Sequence, residues 1–183
     1  AINSEMKLLF FVRDPIERIW SSIRYNCARG FSAININSSK DIITLIERTE
    51  VLKNPNIISR GEYERTLENY TRYFDSSQIL ICFYDAISLD PEGLLSGIAK
   101  FLDIDPFKEA SISNKTHINS SPAHQMPAEV RNYLLDIYTP TIQRLAKLLG
   151  SYSSLWQVAR SSDNFAAQRK KSTSMQLSPT IHL

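Results

Sequence analysis

Residues 7–21 read KLLFFVRDPIERIWS. The first seven, Lys7–Arg13, form a continuous apolar run that ends on a charge. Such a run predicts a strand buried on both faces, as in a parallel sheet. Asp14-Pro15 then starts a helix, with Asp14 as N-cap and Pro15 at the first helical position. Ile16, Ile19, Trp20, Ile23 and Cys27 follow at helical spacing and mark one apolar face. The unit is strand, sharp turn, helix.

Working outward, residues 32–40 are a polar loop and Asp41–Leu52 reads as a helix that Asn54-Pro55-Asn56 ends. Arg60–Phe74 is predicted to be a helix, because Tyr63, Leu67, Tyr70 and Phe74 recur on one face. Gln78–Tyr84 (QILICFY) is the second buried strand. Asp90-Pro91 repeats the cap-and-proline start, and Leu94, Leu95, Ile98, Phe101 and Leu102 face inward from the helix that follows. Residues 105–125 read as irregular. A last helical region spans Pro127–Leu149, with Pro140 expected to kink or split it and Gly150 just past its end. Beyond Trp156 the apolar period fades, and Ser161–Leu183 reads as disordered. Strands alternating with helices argue for an α/β layer structure. Two strong strands are few for a parallel sheet, so part of the sheet is expected outside this sequence.

Composition narrows the function. The chain has 183 residues and a net charge of +2. The segment from Arg160 onward holds four basic residues and one acidic one, so the body before it balances to −1. A near-neutral body shows no general nucleic-acid footprint. The basic trio Arg169, Lys170 and Lys171 reads as a solvated tail. There are five glycines, none spaced as a Walker-type loop and none in a G-x-G-x-x-G pattern. Cys27 and Cys82 are far apart, with no CxxC, so a disulfide is unsupported and Cys82 reads as a small buried hydrophobe. His117, His124 and His182 form no metal-ligand spacing, and no metal is expected. No run of ~18 apolar residues is present, so no membrane span is expected. No signal peptide is visible, which gives a cytoplasmic expectation. The alternative is the Golgi lumen, if an anchor precedes Ala1.

The chemistry concentrates at the strand-to-helix junction. In open α/β sheets, ligands bind beyond the carboxyl ends of the strands. Arg13 sits at that end, and the free N–H groups of a helix N-terminus favour an anion there. Arg13 can fork onto a phosphate while the Ser21 hydroxyl adds a bond. The competing reading pairs Arg13 with Asp14 or Glu17 and leaves Ser21 facing solvent. Other candidates fall to plain structural readings. Glu62 and Glu64 are two apart on a helix, do not face each other, and read as solvated. Tyr63 reads as a core or site-wall aromatic. His117 and His124 lack a nucleophile in any triad-like context.

At these residues a resemblance appears. KLLFFVRDPIERIWSSIRY resembles the 3′-phosphate-binding segment of sulfotransferases that use 3′-phosphoadenosine 5′-phosphosulfate (PAPS). That segment is a lysine-led apolar strand followed by R-[DNE]-P-x-x-R-x-x-S. Arg13 and Ser21 fall eight apart, as in that pattern. Downstream, RGEYERTLENYTRYFDSSQILICFYDAISLDP and LLSGIAKFLDID are similar to the R/S-G-x-Y helix, the Q-I-L strand, the Y-E-D-L-like turn and the F-L-G-like helix end of the bacterial and heparan-sulfate-type branch. The resemblance covers about residues 5–156. It implies a P-loop-NTPase-like α/β fold, a parallel sheet flanked by helices, incomplete at its N-terminus. Residues 1–158 would be a partial sulfotransferase domain and 159–183 a disordered basic, serine-rich tail.

The implied reaction is in-line attack of a hydroxyl or amine on sulfur, releasing the 3′,5′-bisphosphate PAP. The implied roles are 3′-phosphate binding by Arg13 and Ser21, with PAPS as donor co-substrate and a small-molecule or carbohydrate acceptor. The departures are also specific. The family's phosphosulfate loop, a glycine-containing turn, is expected before Ala1. The catalytic base has no counterpart. The late K-G-R-type loop is replaced by a region around Lys115, itself read as a solvated loop lysine. Asp85 stands where the family often has Glu. An enzyme whose complete form transfers sulfuryl groups is the first reading, with the chain alone expected to be inactive. A truncated or degenerate module that binds nucleotide or a partner without catalysis is the alternative. A helical scaffold is the third.

Overall fold

The structure, a computed structural model, describes residues 5–30, 35–48, 61–105, 124–158 and 177–182. In chain order the described elements are β1 (Leu8–Val12), α1 (Pro15–Ala28), α2 (Ser39–Arg48), α3 (Tyr63–Tyr70), a 3-10 turn (Ser76–Gln78), β2 (Ile79–Phe83), a short α4 (Ala86–Leu89), α5 (Pro91–Leu102), α6 (Ala128–Leu149), α7 (Ser151–Val158) and β3 (Thr180–His182). The class is mixed α/β. The Lys115 region, His117 and the basic trio lie outside the described residues.

β1 and β2 pair in parallel, in register from Leu8↔Ile79 to Val12↔Phe83. All five residues of β2 are buried, as its unbroken apolar run predicts. β1 differs from expectation. Val12 is buried, but Leu9 is 38% and Phe11 45% exposed. Among the described residues β1 is an edge strand, with Leu8 and Phe10 packed on the core and the alternate face open. A run without polar residues hides the two-residue period, so one-sided burial cannot be read from it.

The sheet is mixed rather than parallel. β3 pairs with β2 antiparallel, through Leu80↔His182, Ile81↔Ile181 and Cys82↔Thr180. The expected disordered tail therefore differs at its end, where 180–182 are a strand; 159–176 lie outside the described residues.

Caps fix the helices. Asp14 accepts from Ile16 N–H at 2.8 Å and Glu17 N–H at 3.4 Å, starting α1 where the sequence places it. Asp90 accepts from Gly93 N–H at 2.9 Å, and a Cβ at Gly93 would overlap that carboxylate. At the other end of α5, Lys7 donates to the Phe101 carbonyl at 2.7 Å, a cation on a helix C-terminus. α3 is shorter than predicted, because the backbone turns at Thr71–Phe74. α6 runs unbroken through Pro140. The proline lacks a donor, and Thr139 Oγ1 donates to the Leu135 carbonyl one turn back.

α1 and α2 pack on α6, and α5 packs on β2 and β3. Trp156 of α7 and Tyr152 close over Phe83, with ring centroids 6.4 and 5.6 Å from it. One core joins the sheet to these helices. Cys27 and Cys82 are both free thiols. No described helix is long and apolar enough to cross a membrane.

Candidate active site at the carboxyl end of the parallel strands

The parallel register carries Arg13 and Tyr84 to the same edge, one residue beyond the Val12↔Phe83 pair. Tyr84 N–H donates to the Val12 carbonyl at 2.8 Å and closes the ladder there. The Arg13 guanidinium lies over the Tyr84 ring, 4.5 Å from its centroid. Its backbone N–H donates to Tyr63 Oη at 3.2 Å. Tyr63, the first residue of α3, is buried and stands edge-on to Phe10 of β1. Burial pushes the Tyr63 hydroxyl above its ordinary pKa, opposed by the Arg13 amide and by the charges of Arg18 and Arg13. A neutral phenol at this point keeps the accepting oxygen for the strand end.

Arg13 is half-buried and enters no ion pair among the described residues. The expected competitor Glu17 instead pairs with Arg131 of α6 at 3.0 Å. Ser21 lies half-buried on α1, two turns after Arg13, away from the face of Ile16, Ile19 and Ile23.

The helix N-terminus differs from expectation. Pro15 has no N–H. Ile16 and Glu17 give theirs to the Asp14 side chain, and Arg18 gives its own to the Asp14 carbonyl. The first turn therefore offers an anion no spare backbone donor. Attraction for an anion must come from side chains, above all the Arg13 guanidinium.

The other flagged residues have structural partners. The Asp85 carboxylate is buried and accepts from Trp156 Nε1 at 3.2 Å, tying the turn after β2 to α7. Glu62 pairs with Arg65 at 3.4 Å, and Glu64 with Arg144 of α6 at 2.9 Å. These four side chains, with Tyr138 and Thr141, line a cavity of about 340 Å³ between α3 and α6. Glu62 and Glu64 are thus partly exposed members of surface ion pairs. His124 supplies only its carbonyl, which accepts from Trp20 Nε1 at 3.0 Å. Among the described residues no three His, Cys, Asp or Glu side chains cluster as a metal site.

Sequence reasoning missed Tyr84 as the partner of Arg13 and Trp156 as the partner of Asp85. The signal for Tyr84 was its place just after the second strand. Only the strand register turns that place into a contact.

The sulfotransferase domain family matches residues 1–135. The chain belongs to the sulfotransferase family. It is also similar to the membrane-associated sulfotransferase kil1 of Dictyostelium discoideum, 27% identical over 93 residues, covering 51% of this chain and 19% of that protein. The matched part thus spans about a fifth of that relative. As a member of this family, the chain carries at its strand edge one arginine, two tyrosines and a capped helix start.

Proposed function

We propose that this chain forms the 3′-phosphate side of a PAPS site in a sulfotransferase that passes a sulfuryl group to a hydroxyl or amine acceptor. The observation that carries the reading is the state of Arg13. It stands at the carboxyl end of β1, free of carboxylate partners among the described residues and stacked on Tyr84. Its fork is available to a dianionic phosphate, and Ser21 follows at the spacing that resembles the family's segment. Because the first-turn amides are already used, Arg13 carries a larger share of the binding than a bare helix terminus would allow. The sheet order and the capped strand–helix unit are consistent with a P-loop-like arrangement. The complete protein's acceptor is proposed only as a small molecule or carbohydrate bearing such a group.

The test is calorimetric titration of the protein with PAP and with adenosine 5′-phosphate, which lacks the 3′-phosphate. Arg13→Ala is expected to weaken PAP binding by about 1.5–3 kcal/mol, the worth of charged hydrogen bonds. Adenosine 5′-phosphate should bind both proteins alike. Equal PAP affinity in the two would remove Arg13 from the site.

A further inference from the structure

β3 joins the sheet from the far end of the chain, and its contacts are specific. Beyond the three register pairs, Phe83 N–H donates to the Pro179 carbonyl at 3.1 Å, and Ser151 Oγ donates to the Ser178 carbonyl at 2.6 Å. Leu177 and Ile181 pack against the core. Thr180 and His182, two apart on a strand, share the opposite face from Ile181. They meet Gly97 and Phe101, which are four apart on α5. The spacings match: i to i+2 on a strand and i to i+4 on a helix both advance about 6 Å. The His182 ring sits 5.6 Å from the Phe101 ring.

Gly97 is the informative residue. It lies inside a helix, where glycine is a poor former. A Cβ there would lie 2.5 Å from Thr180 Oγ1, 3.1 Å from its Cγ2 and 3.3 Å from its Cβ. Rotating the threonine leaves its Cβ in place, so part of the crowding persists in every rotamer. The missing side chain on α5 is therefore what admits Thr180.

We propose that the outer edge of β2, with Gly97 and Phe101 of α5, is a strand-docking groove. Its ligand is an extended segment of this chain's own C-terminal sequence, Leu177–His182. The groove reads that segment in three ways. The β2 backbone supplies antiparallel hydrogen bonds, Gly97 demands a small residue at the Thr180 position, and the core takes an aliphatic side chain at the Ile181 position. This is strand addition to a sheet edge, with backbone bonds for affinity and alternate side chains for specificity. It does not depend on the donor-site reading.

A double-mutant cycle in the full chain tests it, since the sign of the effect is diagnostic. Glycine to alanine inside a helix ordinarily stabilises. Here Gly97→Ala is expected to lower Tm by about 2–4 °C, as befits a chain of this size. Phe83 should also lose amide-exchange protection. In a Thr180→Ala background, which removes the 2.5 and 3.1 Å contacts and keeps only the 3.3 Å one, the same change should lower Tm clearly less. A rise in Tm from Gly97→Ala with threonine present would overturn the proposal. A second measurement uses a labelled Leu177–His182 peptide on the chain carrying Ile181→Asp, whose own segment is weakened. Saturable binding is expected, at least about tenfold weaker when leucine replaces the peptide's threonine. No binding of the unaltered peptide would also overturn it.

Discussion

Arg13 is held twice, by a tyrosine of α3 and by one in the turn after β2. Tyr84 stacks on its guanidinium and Tyr63 accepts its backbone N–H. The first contact orients the charge, and the second fixes the strand end from which it projects. Tyr63→Phe keeps the edge-on packing with Phe10 and removes only the acceptor. We expect it to cost about 0.5–1.5 kcal/mol of stability, the net worth of a hydrogen bond, and to weaken PAP binding several-fold. Thermal melts and PAP titration check this together. A loss of stability with unchanged PAP affinity would confine Tyr63 to packing. The sequence reads Tyr63 as a core or site-wall aromatic, and the residue is buried. Its partner was not legible there, because a backbone amide 50 residues away has no sequence signature.

At the scale of elements, caps decide where helices begin and what their ends can still do. Asp14 starts α1 and, by the same bonds, withdraws the first-turn amides from any ligand. Asp14→Ala is expected to destabilise the protein by ~0.5–2 kcal/mol, as capping residues do. Chemical denaturation measures it, and an unchanged midpoint would contradict the cap. Both Asp-Pro starts were legible because proline and an N-cap carboxylate act within one turn of the chain. The end of α3 was less so. Its apolar spacing continues to Phe74, yet the backbone leaves the helix after Tyr70, and Phe74 packs on Tyr70 from the following turn. Periodicity records which side faces inward, and a turn can preserve that side. β1 shows the reverse limit, since its uniform apolar run concealed the open face of Leu9 and Phe11.

At the scale of the molecule, β2 is the central strand of the described sheet. β1 and β3 flank it, and α4, α5 and the aromatic pair of α7 close over it. Cys82 lies within it, fully buried, and burial pushes its thiol from 9.0 up to about 11. A raised pKa means that the unfolded chain gives up the proton first as pH rises. The stabilising effect is full below about pH 9 and is lost as pH climbs to about 11. Denaturant unfolding at pH 8, 9 and 10 should show stability falling more steeply in the native chain than in Cys82→Ala. Parallel slopes would contradict the buried thiol.

The sequence by itself determined the local units: two apolar strands, the capped helix after each, and the Arg13 to Ser21 spacing that resembles a sulfotransferase segment. These depend on residues within a few turns of one another, where propensity, capping and periodicity act directly. The tertiary structure decided what those units meet. It set Arg13 on Tyr84 through strand register, turned Asp85 inward to Trp156, and drew Thr180–His182 into the sheet beside Gly97. Each of these contacts joins residues far apart in the chain. Their strength comes from shared burial and backbone pairing, and neither exists until the chain has closed on itself.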